Sequence, residues 1–196
     1  MADTDPNLHP VLTGKTIALV VDNYFEQAEF TEPLGALRDA GAQVDVISPA
    51  GSELQGMQHA DKGDTFDSDK SLDEVNFDDY QALVLPGGAI NADSLRMVPE
   101  VQQAVRDFLS SGRVVAVICH APWVLASAGV ASGRHVTSYE TIQDDMRNAG
   151  ANWTDEEVVI DDNLITSRKP DDLPAFNQAI ITALSAEKVG GGNNYE

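Results

Sequence analysis

One cysteine, Cys119, stands alone in 196 residues. That excludes an internal disulfide and leaves no set of thiolates for a structural metal. Basic residues are scarce as well: 12 Lys and Arg face 32 Asp and Glu, a formal net charge of −20. So acidic a surface has no basic face to neutralise phosphates, which excludes nucleic acid and anionic membrane as partners. It reads as a solvated shell and identifies no partner of its own. Residues 1–14 lack the basic start and apolar run of a signal peptide. No apolar run approaches the roughly 18 to 20 residues of a membrane span. A soluble cytoplasmic protein is expected.

Several chemistries are missing too. There is no G-x-S-x-G, no P-loop and no G-x-G-x-x-G. No His pair has zinc spacing, and Asp67-Ser68-Asp69 opens like a calcium loop without its turn glycine or closing glutamate. No cofactor and no metal are expected. The hydrophobic content of 42% is that of a globular protein. The expected organisation is a flexible N-terminal segment over 1–14, one α/β domain over 15–188, and a flexible tail over 189–196.

What is present is a run of short apolar strands alternating with helical patterns. Thr16–Val21, Val44–Ile47, Ala82–Leu85 and Val114–Ile118 are rich in β-branched and aliphatic residues, the composition of strands buried on both faces. Helices are expected over 27–40, 99–111, about 124–128, 142–149 and 173–186, several stopped by a glycine. Val158–Ile160 and Leu164–Thr166 flank an Asp-Asp-Asn turn and read as a hairpin. The poorly patterned stretch 51–79 reads as a small antiparallel excursion or a long connection. This alternation predicts a mostly parallel sheet covered by helices on both faces.

In such a sheet the loops after the strands share one edge, where ligands bind. Three loops matter: Asp22 to Glu26, Pro86-Gly87-Gly88, and Cys119-His120. Cys119 sits at a strand-to-helix turn, where the helix N-terminus favours a thiolate, although a lone cysteine is equally well a small buried hydrophobe. Gly87, Gly88 and His120 offer backbone N–H groups for an oxyanion hole. Glu26 or Glu29 offers a carboxyl able to share a proton with the thiol, or merely to balance the helix dipole. His120 need not be the base, because adjacent residues usually point apart. Arg168-Lys169-Pro170 reads as a surface cap before the last helix.

Leu85-Pro86-Gly87-Gly88, Ile118-Cys119-His120-Ala121-Pro122 and Thr137-Ser138-Tyr139 resemble the PfpI family of intracellular cysteine peptidases, part of the DJ-1/PfpI superfamily. Asp144 to Trp153 and Thr166 to Leu173 resemble that family more specifically. The resemblance implies a class I glutamine amidotransferase-like, flavodoxin-like three-layer fold. It makes Cys119 the nucleophile at a strained elbow, His120 the histidine that follows, and Glu26 the carboxyl on the thiol. It also implies a homodimer or larger homo-oligomer in which an acid from a neighbouring subunit meets His120, with Asp93 as the counterpart. Ala121 stands where the family has glycine, and no later His-x-Glu supports amidotransfer. Family members are described as proteases, as deglycases or glyoxalases, and as stress-response proteins. The expected function is a stress-associated cysteine hydrolase on peptide or glyoxal-type carbonyl substrates. The alternative is a redox sensor or chaperone-like protein whose cysteine is oxidised rather than catalytic.

Overall fold

The first apolar run forms strand β1 (Thr16–Val20), which is buried along nearly its whole length. A two-residue strand, β2 (Phe25–Glu26), runs straight into helix α1 (Gln27–Asp39), which buries Phe30, Pro33 and Leu37. Strand β3 (Gln43–Ser48) completes the first β-α-β unit and pairs parallel to β1. These coordinates are a computed structural model describing residues 11–49, 51 and 53–186. Residues 1–10 of the expected terminal segment and the expected tail over 189–196 lie outside them. Packing begins earlier than residue 15: Leu12 is fully buried and its N–H donates to the Ala40 carbonyl at 2.8 Å.

The weakly patterned stretch holds an antiparallel hairpin, β4 (Glu53–Gln58) and β5 (Asp61–Asp67), followed by the short β6 (Lys70–Ser71). Strand β7 (Ala82–Leu85) comes next, then α2 (Ala89–Leu95) and α3 (Pro99–Ser110). Strand β8 (Val114–Ile118) leads into α4 (Pro122–Ser127), β9 (His135–Val136), α5 (Gln143–Asn148) and β10 (Asn152–Trp153). The chain closes with the predicted hairpin, β11 (Val158–Asp161) and β12 (Leu164–Ser167), and helix α6 (Leu173–Ser185).

Seven strands form the central sheet in the order β11-β12-β8-β7-β1-β3-β6, parallel except for β11. The side chains of each strand alternate between two cores. Ala18, Val20, Leu83, Leu85, Val115 and Val117 face α3, α4 and α5 through Val105, Phe108, Leu125 and Met146. Ile17, Leu19, Val84, Ala116 and Ile118 face α1 and α6 through Phe30, Leu37, Phe176 and Ile180. This is the expected flavodoxin-like three-layer sandwich. A second, three-stranded sheet of β2, β4 and β5 stands apart, and no helix among the described residues is long and apolar enough to cross a membrane.

The order of strands changes direction between β1 and β7, so the loops after these strands splay apart there and leave a crevice. Asn91 stitches that crevice. Its buried amide donates to the carbonyls of Pro86 and Gly87 at 2.8 and 2.9 Å and accepts from the Asp22 N–H at 2.7 Å. No signal in the sequence marked this residue. Asn91→Ala is expected to cost about 2–4 kcal/mol by stranding these buried groups. Urea unfolding should show a lower midpoint with an unchanged slope.

Candidate active site

Cys119 directly follows β8 and takes a positive φ of 65°. A non-glycine residue there is strained, and such strain gathers where function fixes a side chain. Its N–H is anchored on Ser167 at 3.0 Å, and its carbonyl accepts from the Tyr139 N–H at 2.8 Å. The N–H groups of Gly88 and His120 both reach its sulfur. Gly88 has a φ of 90° and lies against Phe25, so close that a Cβ would sit 2.8 Å from the Phe25 Cα. Only glycine lets this loop approach the β2 backbone.

The carboxyl on the thiol is Glu29, not Glu26. Glu29 is fully buried; Oε2 accepts the Gly87 N–H at 3.0 Å, and the carboxyl hydrogen-bonds Cys119. Pairing of β2 with β4 instead carries Glu26 toward the hairpin, where Oε2 accepts the His59 N–H at 3.1 Å and lies 3.9 Å from His59 Nδ1. Because its N–H is spent on Glu29, Gly87 does not serve an oxyanion hole; the N–H groups at the sulfur are those of Gly88 and His120. A Cβ at Gly87 would lie 2.6 Å from the Cys119 Cβ, so this position also admits glycine alone.

Burial, opposed by the bonds from Cys119 and Gly87, pushes the Glu29 carboxyl up to about 8. Burial first, then the negative charge of Glu29, pushes the Cys119 thiol up, while the Gly88 and His120 N–H groups pull it down. The two acids are therefore not ionised together, and below about pH 8 Glu29 keeps its proton. A carboxylate would have the Gly87 N–H on Oε2 and the Cys119 S–H, while Oε1 finds no partner among the described residues. A thiolate has two N–H donors and the Glu29 O–H. These donors are what a thiolate at Cys119 has to set against its burial.

His120 does meet the thiol, against the expectation for adjacent residues: Nδ1 lies 3.1 Å from Sγ. Burial lowers its pKa, so the ring is neutral near pH 7. It stacks on Tyr139 at 4.9 Å and meets the edge of Trp123 at 5.4 Å. Among the described residues Nε2 has only Thr141 Oγ1, at 3.5 Å. Asp93 is exposed on α2 and does not line the cavity of its own chain. Ala121 has ordinary helical angles and packs into the core on the α3–α5 side, so its methyl group stays out of the site.

Cys119, Glu29 and His120 open onto a cavity of about 500 Å³, walled also by Glu26, Met57, His59, Ile90 and Lys169. Among the described residues no group of three or more His, Cys, Asp or Glu is arranged to hold a metal ion.

The profile of the DJ-1/PfpI family matches residues 15–183. The chain belongs to the DJ-1/PfpI family. It is 44% identical to Protein/nucleic acid deglycase 2 of Escherichia coli, over 88% of this chain and 99% of that one. It is 41% identical to General stress protein 18 of Bacillus subtilis, over 87% and 98%. Deglycase PfpI of Pyrococcus furiosus is 40% identical over 83% and 95%. Among solved structures, Drosophila melanogaster DJ-1beta superposes with a TM-score of 0.80 at 32% identity, covering 87% of this chain and 90% of that one.

Two outcomes follow for Glu29. Folded, it keeps its proton to about pH 8, against an ordinary 4.5. Between those values the folded chain holds more protons than the unfolded one, so stability falls as pH rises, by up to about 1.4 kcal/mol per unit. Glu29→Gln should flatten that slope in urea titrations at pH 5 and pH 8. Glu29→Leu removes the O–H donor at sulfur, and alkylation of Cys119 at pH 7 should slow by about tenfold for each unit its pKa rises.

Proposed function

We propose that this chain is a thiol-dependent hydrolase of small carbonyl adducts, of the deglycase or glyoxalase type. The observation that carries the reading is the Cys119 sulfur, held at a positive φ on a solvent-open cavity with the Gly88 and His120 N–H groups and the Glu29 carboxyl upon it. Relatives named as deglycases, matched over nearly their whole length, support it.

The chemistry follows from the proton count. The thiolate attacks an aldehyde carbon and forms a C–S bond, while the carbonyl π pair moves onto oxygen. That oxygen takes the proton held by Glu29, and the resulting carboxylate is repelled by its own burial until a proton returns. Neutral His120, with Nδ1 at the sulfur, provides a second station for protons moving to and from the adduct. The Gly88 and His120 N–H groups, already aimed at this point, stabilise charge as it develops.

A peptidase would demand more of His120, because expelling an amine needs an oriented acid. Among the described residues no carboxylate orients Nε2; its partner is Thr141. Asp93 is exposed and does not line the cavity of its own chain; peptide cleavage is the activity that would call on a neighbouring copy to supply such an acid. The small-carbonyl reading needs only the single chain. Oxidation of Cys119 is the competing reading, favoured by its access to solvent through the cavity and the lack of a second cysteine to resolve a sulfenic acid.

Cys119→Ser separates these readings. Loss of methylglyoxal turnover by at least 10³-fold, on the order expected for removing a covalent nucleophile, is the predicted result. Turnover retained in that variant would sink the covalent mechanism. Wild-type protein lacking turnover but gaining stoichiometric sulfinic acid under mild peroxide would favour the sensor.

A further inference from the structure

Arg168 and Lys169 are neighbours in sequence but differ in how far their charge is spent. The Arg168 Nε and Nη2 clasp the buried Asp172 carboxylate at 2.9 and 3.0 Å, and Nη1 reaches Asp155 at 2.7 Å. This fork on a carboxylate fixes the loop between β12 and α6. Lys169 follows in extended backbone, φ −164° and ψ 170°, as a residue before proline must. Its ammonium has one ion pair, to Asp171 at 3.6 Å, with both side chains substantially exposed at 45% and 83%. A pair that long and wet contributes about 0–1 kcal/mol and yields readily to a competing anion.

Lys169 lines the Cys119 cavity, and it is the only Lys or Arg among the lining residues described. The other charged groups there are acids: Glu26, already held by the His59 N–H, and Asp171, while Glu29 keeps its proton. An anionic electrophile entering this cavity meets a thiolate, two carboxylates and the field of a chain carrying a net charge of −20. One cation, on a loop locked by its neighbour, is available to offset them.

We propose that Lys169 is a specificity-determining residue that admits electrophiles carrying a carboxylate to Cys119. The substrate class is then carbonyl compounds bearing an anionic group, rather than neutral aldehydes alone. The substrate class rests on the carbonyl reading above, but the electrostatic part does not, because Cys119 can be probed without turnover.

The test uses two matched pairs. Iodoacetate and iodoacetamide differ in charge and little in size, and both alkylate the thiolate, so their rate ratio cancels any change in the thiol itself. At low salt, Lys169→Met should lower the iodoacetate-to-iodoacetamide ratio by about fivefold, on the order of one partly screened charge contact. Lys169→Arg should keep the wild-type ratio, and added salt should shrink the difference between Met and wild type. The second pair, 4-carboxyphenylglyoxal and phenylglyoxal, asks the same of turnover: kcat/KM for the carboxylated substrate should fall several-fold relative to the neutral one in Lys169→Met. An alkylation ratio that ignores the substitution overturns the role of Lys169, whatever the turnover. A shifted alkylation ratio with an unshifted kcat/KM ratio overturns the substrate class. No turnover of either glyoxal overturns the carbonyl reading and the substrate class with it, while the alkylation ratio still reports on Lys169.

Discussion

Everything in this site depends on two acids that cannot both be ionised. Glu29 and Cys119 approach from opposite sides of the place where the sheet changes direction, one from the first turn of α1 and one from the end of β8. Burial makes a second negative charge there prohibitive, and the donors around each acid decide which of them can carry the first. The Gly87 N–H, the Gly88 and His120 N–H groups and the Asn91 clamp all act on where that charge rests. The strain at Cys119 is the geometric cost of pointing the sulfur at those donors rather than into the core.

The central sheet was legible because a parallel strand covered on both faces must be apolar throughout. The observed Ala82–Leu85 and Val114–Ile118 are the very runs marked by composition. Strands of two residues, β2 and β6, carry no period and escaped notice. So did α2, whose seven residues follow Pro86-Gly87-Gly88 without a patterned face. Cys119, Gly88 and His120 were legible from their place after a strand.

Choosing between Glu26 and Glu29 was harder, because three residues is nearly one helical turn and both flank the same loop. A signal did exist. Glu29 falls in register with the buried Pro33 and Leu37 at intervals of four, on the apolar stripe of α1, where an acid has to be neutral or paired. Glu26 was drawn elsewhere by the β2–β4 pairing, a contact between segments about thirty residues apart that no local pattern encodes. Asn91 was hidden for the same reason: its partners are backbone groups of two other loops.

The small sheet of β2, β4 and β5 has a consequence for how such sites diversify. Its hairpin supplies Met57 and His59 to the cavity wall but takes no part in the central sheet. It is fastened to the start of α1 by Glu26 and by Gln27, which clasps Asp64 through two hydrogen bonds of 2.8 Å. The nucleophile and the wall thus lie on different sheets, joined by the β2–β4 pairing, these side-chain bonds and the packing of Leu54 and Phe66 on Phe25 and Phe30. Changes in the turn around His59 would reshape what the cavity accepts without disturbing β8, α1 or the Glu29–Cys119 pair, so long as Leu54 and Phe66 keep their packing. A single reactive core can in this way be refitted to many small molecules by evolution, or by grafting, through the exposed turn of one hairpin.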